Sequence, residues 1–143
     1  MSAIRYQVVT ELPVETVVEL YQAGGWWQES ARGRAIIPRM ISGSLSFVVA
    51  IDENDRVVGM GRAISDGASD AYIQDVVVLP ELRGRGVGSG IIQRLVTHCT
   101  EQGIGWVGLI GEPGTQSFYE RLGFSPLEGY QPMLWGRPKP NER

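Results

Sequence analysis

The stretch Asp75–Val96, DVVVLPELRGRGVGSGIIQRLV, decides how the rest of the chain is read. Asp75 to Leu79 is an apolar, β-branched run of the kind that forms a buried strand, and Pro80 stops it. Arg83 to Ser89 holds three glycines and two arginines. From Val87 the apolar residues fall at Val87, Ile91, Ile92, Leu95, Val96 and Cys99, the spacing of one helical face. A strand, a glycine-rich basic loop and a helix in immediate succession aim backbone N–H groups and the positive end of a helix dipole at one spot beside a sheet edge. Such a spot binds phosphate.

On the N-terminal side of this stretch, Tyr72 to Leu79 completes the strand. Leu45 to Gly67 predicts a hairpin, with Leu45–Ile51 and Val57–Ile64 as its strands and Glu53-Asn54-Asp55 as its turn. Ile4 to Val9 alternates as a half-buried strand does. Pro13 opens a helix that carries Val14, Val17, Val18 and Tyr21 and ends at Gly24-Gly25. Gly25 to Ser44 reads as a loop followed by a short helix near Pro38–Ser42. On the C-terminal side, Trp106–Ile110 reads as a short strand and Thr115–Leu122 as a short helix closed by Gly123, with Phe124–Leu127 and Gln131–Trp135 as further strands. The expectation is one α/β domain over residues 1–143, with 137–143 a frayed polar tail.

Composition narrows the classes. Hydrophobic residues make up 43% of the chain and charged residues 20%, as in globular domains. No apolar run approaches the roughly 20 residues of a membrane span, and Met1–Thr10 has no secretory pattern. The one cysteine, Cys99, reads as a core residue and points to a reducing, cytoplasmic setting. A net charge of −3 gives no general attraction to nucleic acid, although the field around Arg83 and Arg85 is locally positive. No metal-ligand cluster is visible in the sequence.

Two strings carry a family resemblance. Arg83-Gly84-Arg85-Gly86-Val87-Gly88 fits R-x-x-G-x-G, and FYERLGF (Phe118–Phe124) follows downstream. Together they resemble the GNAT N-acetyltransferases. GMGRAISDG (Gly59–Gly67), IQDVVV and GYQPMLW (Gly129–Trp135) look like a small branch that includes plant-type serotonin N-acetyltransferases and bacterial relatives. The resemblance covers Leu45 to Trp135 and is loose before that. It implies a GNAT fold, α/β, with a mixed central sheet of about seven strands flanked by about four helices.

The resemblance also implies acetyl-CoA as co-substrate, without a metal. The pyrophosphate would meet Arg83, Gly84, Arg85, Gly86, Val87, Gly88 and Ser89. The pantetheine would run along Val76, Val77 and Val78, with the Val76 N–H facing the thioester oxygen. Tyr119 stands where the family places a tyrosine near the leaving sulfur, as general acid or hydrogen-bond donor. Glu112 and Thr115 stand where many relatives carry Asn and Ala.

An amine acceptor is about one part in a thousand neutral at pH 7, so a base has work to do. Asp75, a carboxylate in an apolar strand, is the first candidate, with a structural role as its alternative. Glu29, Asp66 and Glu112 are weaker candidates. Trp26 and Trp27 lie in the loop that covers the acceptor side in this fold, and are candidates to line the acceptor pocket. The expected function is N-acetylation of a small primary amine by direct attack in a ternary complex. The alternatives are a protein lysine or N-terminal acetyltransferase, or an acyl-CoA-binding sensor without turnover. Dimers are common in the family, and GYQPMLW is a candidate for pairing between copies.

Overall fold

In a computed structural model that describes residues 3–136, the apolar runs assemble into one mixed five-stranded sheet. Its strands are β1 (Arg5–Val8), β2 (Ser46–Ile51), β3 (Val57–Ser65), β4 (Asp70–Val78) and β5 (Trp106–Leu109), arranged in that order. β1 through β4 pair antiparallel, and β5 pairs parallel to β4. The helices are α1 (Val14–Gly24), α2 (Ala31–Gly43), α3 (Val87–Glu101) and α4 (Gln116–Arg121). A single 3₁₀ turn, Pro80–Leu82, joins β4 to the glycine loop.

The sheet is covered on both faces, and alternation along β3 shows how. Gly59 and Gly61 face α3: a Cβ on Gly61 would stand 2.8 Å from Ile91 Cγ2 and 3.0 Å from Leu95 Cδ1. The intervening parity turns Arg62 toward α1, where it meets a carboxylate that Tyr21 also holds. Val17 and Leu20 of α1, Ile37 and Ile41 of α2, Phe47, Val49 and Met60 of the sheet, and Ile91, Leu95 and Cys99 of α3 form a continuous buried core. Burial of each large aliphatic side chain contributes about 2 kcal/mol.

The sheet has one irregularity that matters for function. Met60 pairs with Val77 and Arg62 with Gln74, so Gly61 stands opposite two residues, Asp75 and Val76. This β-bulge puts Asp75 at φ 58°, in the left-handed region. Its carboxylate Oδ2 accepts from Arg62 Nε at 2.8 Å and from the Tyr21 hydroxyl at 2.8 Å. The Asp75 side chain is 2% exposed and that of Arg62 is 14%. Bulge, strand pair and α1 are thus tied at one buried atom.

Three sequence expectations need correction. The sheet has five strands among the described residues, where about seven were expected. Phe124–Leu127 and Gln131–Trp135 are not strands: the chain there is irregular, and Leu127, Tyr130, Met133, Leu134 and Trp135 are exposed. The short helix near Pro38 is a 13-residue helix that begins at Ala31. Ser30 caps it by accepting from Gly33 N–H at 2.9 Å. Gly33 is there because the Trp27 ring comes within 3.2 Å of where its Cβ would be. The expected tail, 137–143, lies outside the described residues.

The bulge ion pair is open to a direct test. Asn tolerates the left-handed region, so Asp75→Asn keeps the backbone while leaving the Arg62 charge without its counter-ion. Urea unfolding of this variant should show a loss of about 3 kcal/mol.

Candidate active site

The cleft opens where β4 and β5 part. Their pairing runs from Asp70–Trp106 to Ile73–Leu109 and stops there, two residues short of the bulge. Beyond it no strand among the described residues lies against that side of β4. The result is a cleft of about 580 Å³, a volume ordinary for small-molecule sites. Val76, Val77 and Val78 form one wall, and Glu112, Phe118 and Arg121 the other. Leu82 to Ser89, Arg85 excepted, close one end, while Ala23, Gly24 and Trp26 come in from the end of α1.

The glycine loop is shaped as its sequence implied. Gly84 and Gly86 sit at φ 75° and 83°, and a Cβ on either would meet no protein atom within 4 Å. Gly86 caps α3 without a side-chain bond, and the Gly90 N–H donates back to the Gly86 carbonyl at 3.1 Å. The N–H groups of Val87, Gly88 and Ser89 precede that bond and so have no intrahelical acceptor. They form the positive end of α3 at the cleft, a cradle that fits a phosphate group.

The two loop arginines are held differently, although Arg83 lines the cleft. Arg83 donates from Nε to the Val78 carbonyl and from Nη2 to the Ala23 carbonyl, both at 2.9 Å. Its guanidinium fastens the end of β4 to the last turn of α1. Arg85 is exposed beside the loop, and Arg121 adds a second positive group on the cleft wall. Arg121 escaped the sequence reading. Its signal is the helical spacing Phe118-x-x-Arg121, which puts both residues on one face of α4.

The candidate carboxylates separate clearly. Asp75 is held by Arg62 and Tyr21 and is not on the cleft wall. The geometry therefore favours a bracing role over the general-base role read from its sequence context. Glu29 is bonded by Arg34, which holds its carboxyl below the usual range. Asp66 caps its own turn: the Ser69 and Ala68 N–H groups hold its carboxyl down. Glu112 alone among these four lines the cleft.

The two tryptophans part company. Trp26 folds back over Gly24, stands edge-on to Tyr21 at 5.9 Å, and lines the cleft. Its Nε1 donates to Glu112 Oε1 at 3.2 Å. Trp27 stacks on Tyr21 at 6.3 Å under the Arg34 guanidinium, between α1 and α2, and is not on the wall. Tyr119 is half-buried behind the wall, edge-to-face with Phe118 and Phe124 at 4.9 and 5.7 Å. Burial, and then the Glu112 charge, push its phenol above the usual range, so it is protonated at neutral pH.

A strand that parts from its neighbour at a bulge thus runs into a glycine loop at a helix start. The model of the acetyltransferase (GNAT) family matches residues 10–124. The chain belongs to the GNAT acetyltransferase family. It is 32% identical over 118 residues to the uncharacterized N-acetyltransferase ycf52 of Pyropia yezoensis, covering 82% of this chain and 68% of that protein. It is 39% identical over 70 residues to the chloroplastic serotonin N-acetyltransferase 2 of Oryza sativa subsp. japonica, covering 49% of this chain and 35% of that enzyme. A GNAT family acetyltransferase from Streptococcus pneumoniae TIGR4 superposes with a TM-score of 0.77 at 30% identity, over 97% of this chain and all of that one. The fold is also that of AAC(6')-Iy, solved with a coenzyme A bisubstrate analogue (TM-score 0.74, 17% identity, 96% and 99% coverage). GNAT acetyltransferases take their acetyl group from acetyl-CoA. Among the described residues no helix is long and apolar enough to cross a membrane.

The loop is testable by binding. Gly86→Val places a branched side chain at φ 83° and in the space in front of the α3 N–H groups. Calorimetry on the folded variant should show no measurable acetyl-CoA affinity, and near-normal affinity would remove this loop from the phosphate site.

Proposed function

We propose that this protein transfers the acetyl group of acetyl-CoA to a primary amine of a small molecule, by direct attack in a ternary complex. The observation that carries this reading is the cleft itself. An unclaimed β4 edge and an uncapped α3 start face one cavity, and Trp26 and Glu112, bonded to each other, both line it. Lining side chains tied together in a cleft of about 580 Å³ suit a small acceptor better than an extended peptide.

In this reading Val87, Gly88 and Ser89 bind the pyrophosphate, with Gly84 and Gly86 allowing close approach and Arg85 and Arg121 adding charge. Val76, Val77 and Val78 offer main-chain groups to the pantetheine amides. Acetyl-CoA supplies an activated thioester: the neutral amine nitrogen bonds to its carbonyl carbon and the carbon–sulfur bond breaks. The acceptor first loses a proton to solvent. Tyr119 then gives its phenol proton toward the departing sulfur and regains one from the nitrogen, which becomes uncharged as the amide forms. Asp75 positions rather than reacts, since it holds the bulge that presents Val76. The lone, buried Cys99 fits a reducing compartment. The cytoplasm is our reading, and chloroplastic relatives extend it to a plastid.

Thiol release from acetyl-CoA over a panel of amines and lysine peptides tests the function. Turnover with small amines supports it, turnover confined to peptides favours a protein acetyltransferase, and binding without turnover favours a sensor. Tyr119→Phe should lower kcat about a hundredfold with little change in the acetyl-CoA KM. Because the folded phenol titrates above about 10, the loss of activity from its deprotonation should appear only on the alkaline side of that value, and should vanish in Tyr119→Phe.

We also propose a homodimer. The outer edge of β5 carries no strand among the described residues, while Leu127, Tyr130, Met133, Leu134 and Trp135 project apolar surface, Trp135 at 99% exposure. An open edge and an uncovered apolar arm in one molecule suit pairing with a second copy. Light scattering should give twice the chain mass, and Leu134→Asp with Trp135→Asp should halve it.

A further inference from the structure

Glu112 has no counterpart to its charge. It is the one acidic side chain on a cleft wall that otherwise carries Arg83 and Arg121. Among the described residues no cation lies within ion-pair distance of it. A carboxylate without a counter-ion in a cleft suited to a polyanionic co-substrate weakens that binding by like-charge repulsion unless it serves the other substrate.

Its placement is built rather than incidental. The Glu112 carbonyl accepts from the Thr115 N–H at 3.2 Å and from Thr115 Oγ1 at 2.6 Å, which fixes the turn before α4. Gly111, just ahead, packs so closely that a Cβ on it would lie 3.0 Å from Thr115 Oγ1. From this turn the side chain reaches the Trp26 indole, which engages Oε1 and leaves the carboxylate beside an aromatic ring. A carboxylate with one oxygen accepting from an indole N–H keeps its other oxygen for an ammonium group, through a charge-assisted bond.

The reacting nitrogen is the wrong ammonium for this anchor. A carboxylate beside it would favour its protonated form and shrink the nucleophilic fraction further. The anchor is productive on a cation that does not react. Resting on the transferase reading above, we infer that Glu112, oriented by Trp26, binds a second positive group of the acceptor. The preferred acceptors are then diamines and polyamines: one ammonium pairs with Glu112 while another nitrogen, deprotonated, attacks.

The test compares 1,4-diaminobutane with n-butylamine as acceptors, following thiol release from acetyl-CoA by the whole chain. The wild type should favour the diamine in kcat/KM by about tenfold or more. In Glu112→Gln the preference should collapse toward the statistical factor of about two for a molecule with two equivalent amines, mostly through the acceptor KM, with acetyl-CoA affinity as a separate control of the cleft. Glu112→Asp should recover part of the preference, and Trp26→Phe should weaken it. A structural role for Glu112 would lower both acceptors alike and leave the ratio unmoved. Turnover of both amines without preference in the wild type, or a preference kept in Glu112→Gln, overturns the inference and leaves the transferase standing. Absence of thiol release with every amine overturns both.

Discussion

At the bulge in β4, two residues stand opposite Gly61, and much of the molecule's chemistry depends on that mismatch. A regular strand would keep Asp75–Val78 in line with the segment that pairs with β5. The extra residue increases the local twist and bends the strand. Pairing with β5 ends just before it, and the valines that follow turn an unclaimed main-chain edge into a cleft. A left-handed conformation at a residue with a side chain is costly. Here the same residue accepts from Arg62 and Tyr21, so the ion pair that joins β3 to α1 also holds the distortion in place.

That arrangement couples the cleft to the core. Tyr21 touches Asp75 through its hydroxyl while its ring meets both Trp26 and Trp27. The cleft-lining Trp26 is therefore backed by a residue that also fixes the bulge. Arg83 adds a second tie, from the end of β4 to the last turn of α1, where it accepts the role of satisfying carbonyls that the helix leaves open.

The electrostatics of the cleft follow from which charges are already used. Arg83, Glu29, Asp66 and Asp75 are engaged within the protein. Arg85 and Arg121 pair with no carboxylate among the described residues, and Glu112 accepts from the Trp26 indole. The family was readable from two strings because their spacing encodes backbone shape: glycines at Gly84 and Gly86 where φ is positive, and an aromatic pair, Phe118 and Tyr119, on a short helix against the cleft. Glu112 was a weak candidate in the sequence because nothing local marks it. Its contact is with Trp26, 86 residues away in the chain.

The sequence by itself determined the α/β class, the strand–glycine loop–helix unit and the core face of α3. These depend on local periodicity, on Pro80 as a stop and on glycines at positive φ, all of which act over a few residues. Only the tertiary structure decided the number of strands and the partners of Asp75 and Arg83. A residue's charge is visible in a string of letters, but whether that charge is spent on a neighbour or offered to a ligand depends on long-range contacts. Asp75 looked reactive because it is a carboxylate among valines, and the fold supplied Arg62 and Tyr21 to hold it. Phe124–Leu127 and Gln131–Trp135 looked like strands because they are apolar, and a strand also needs a partner edge, which local sequence does not specify.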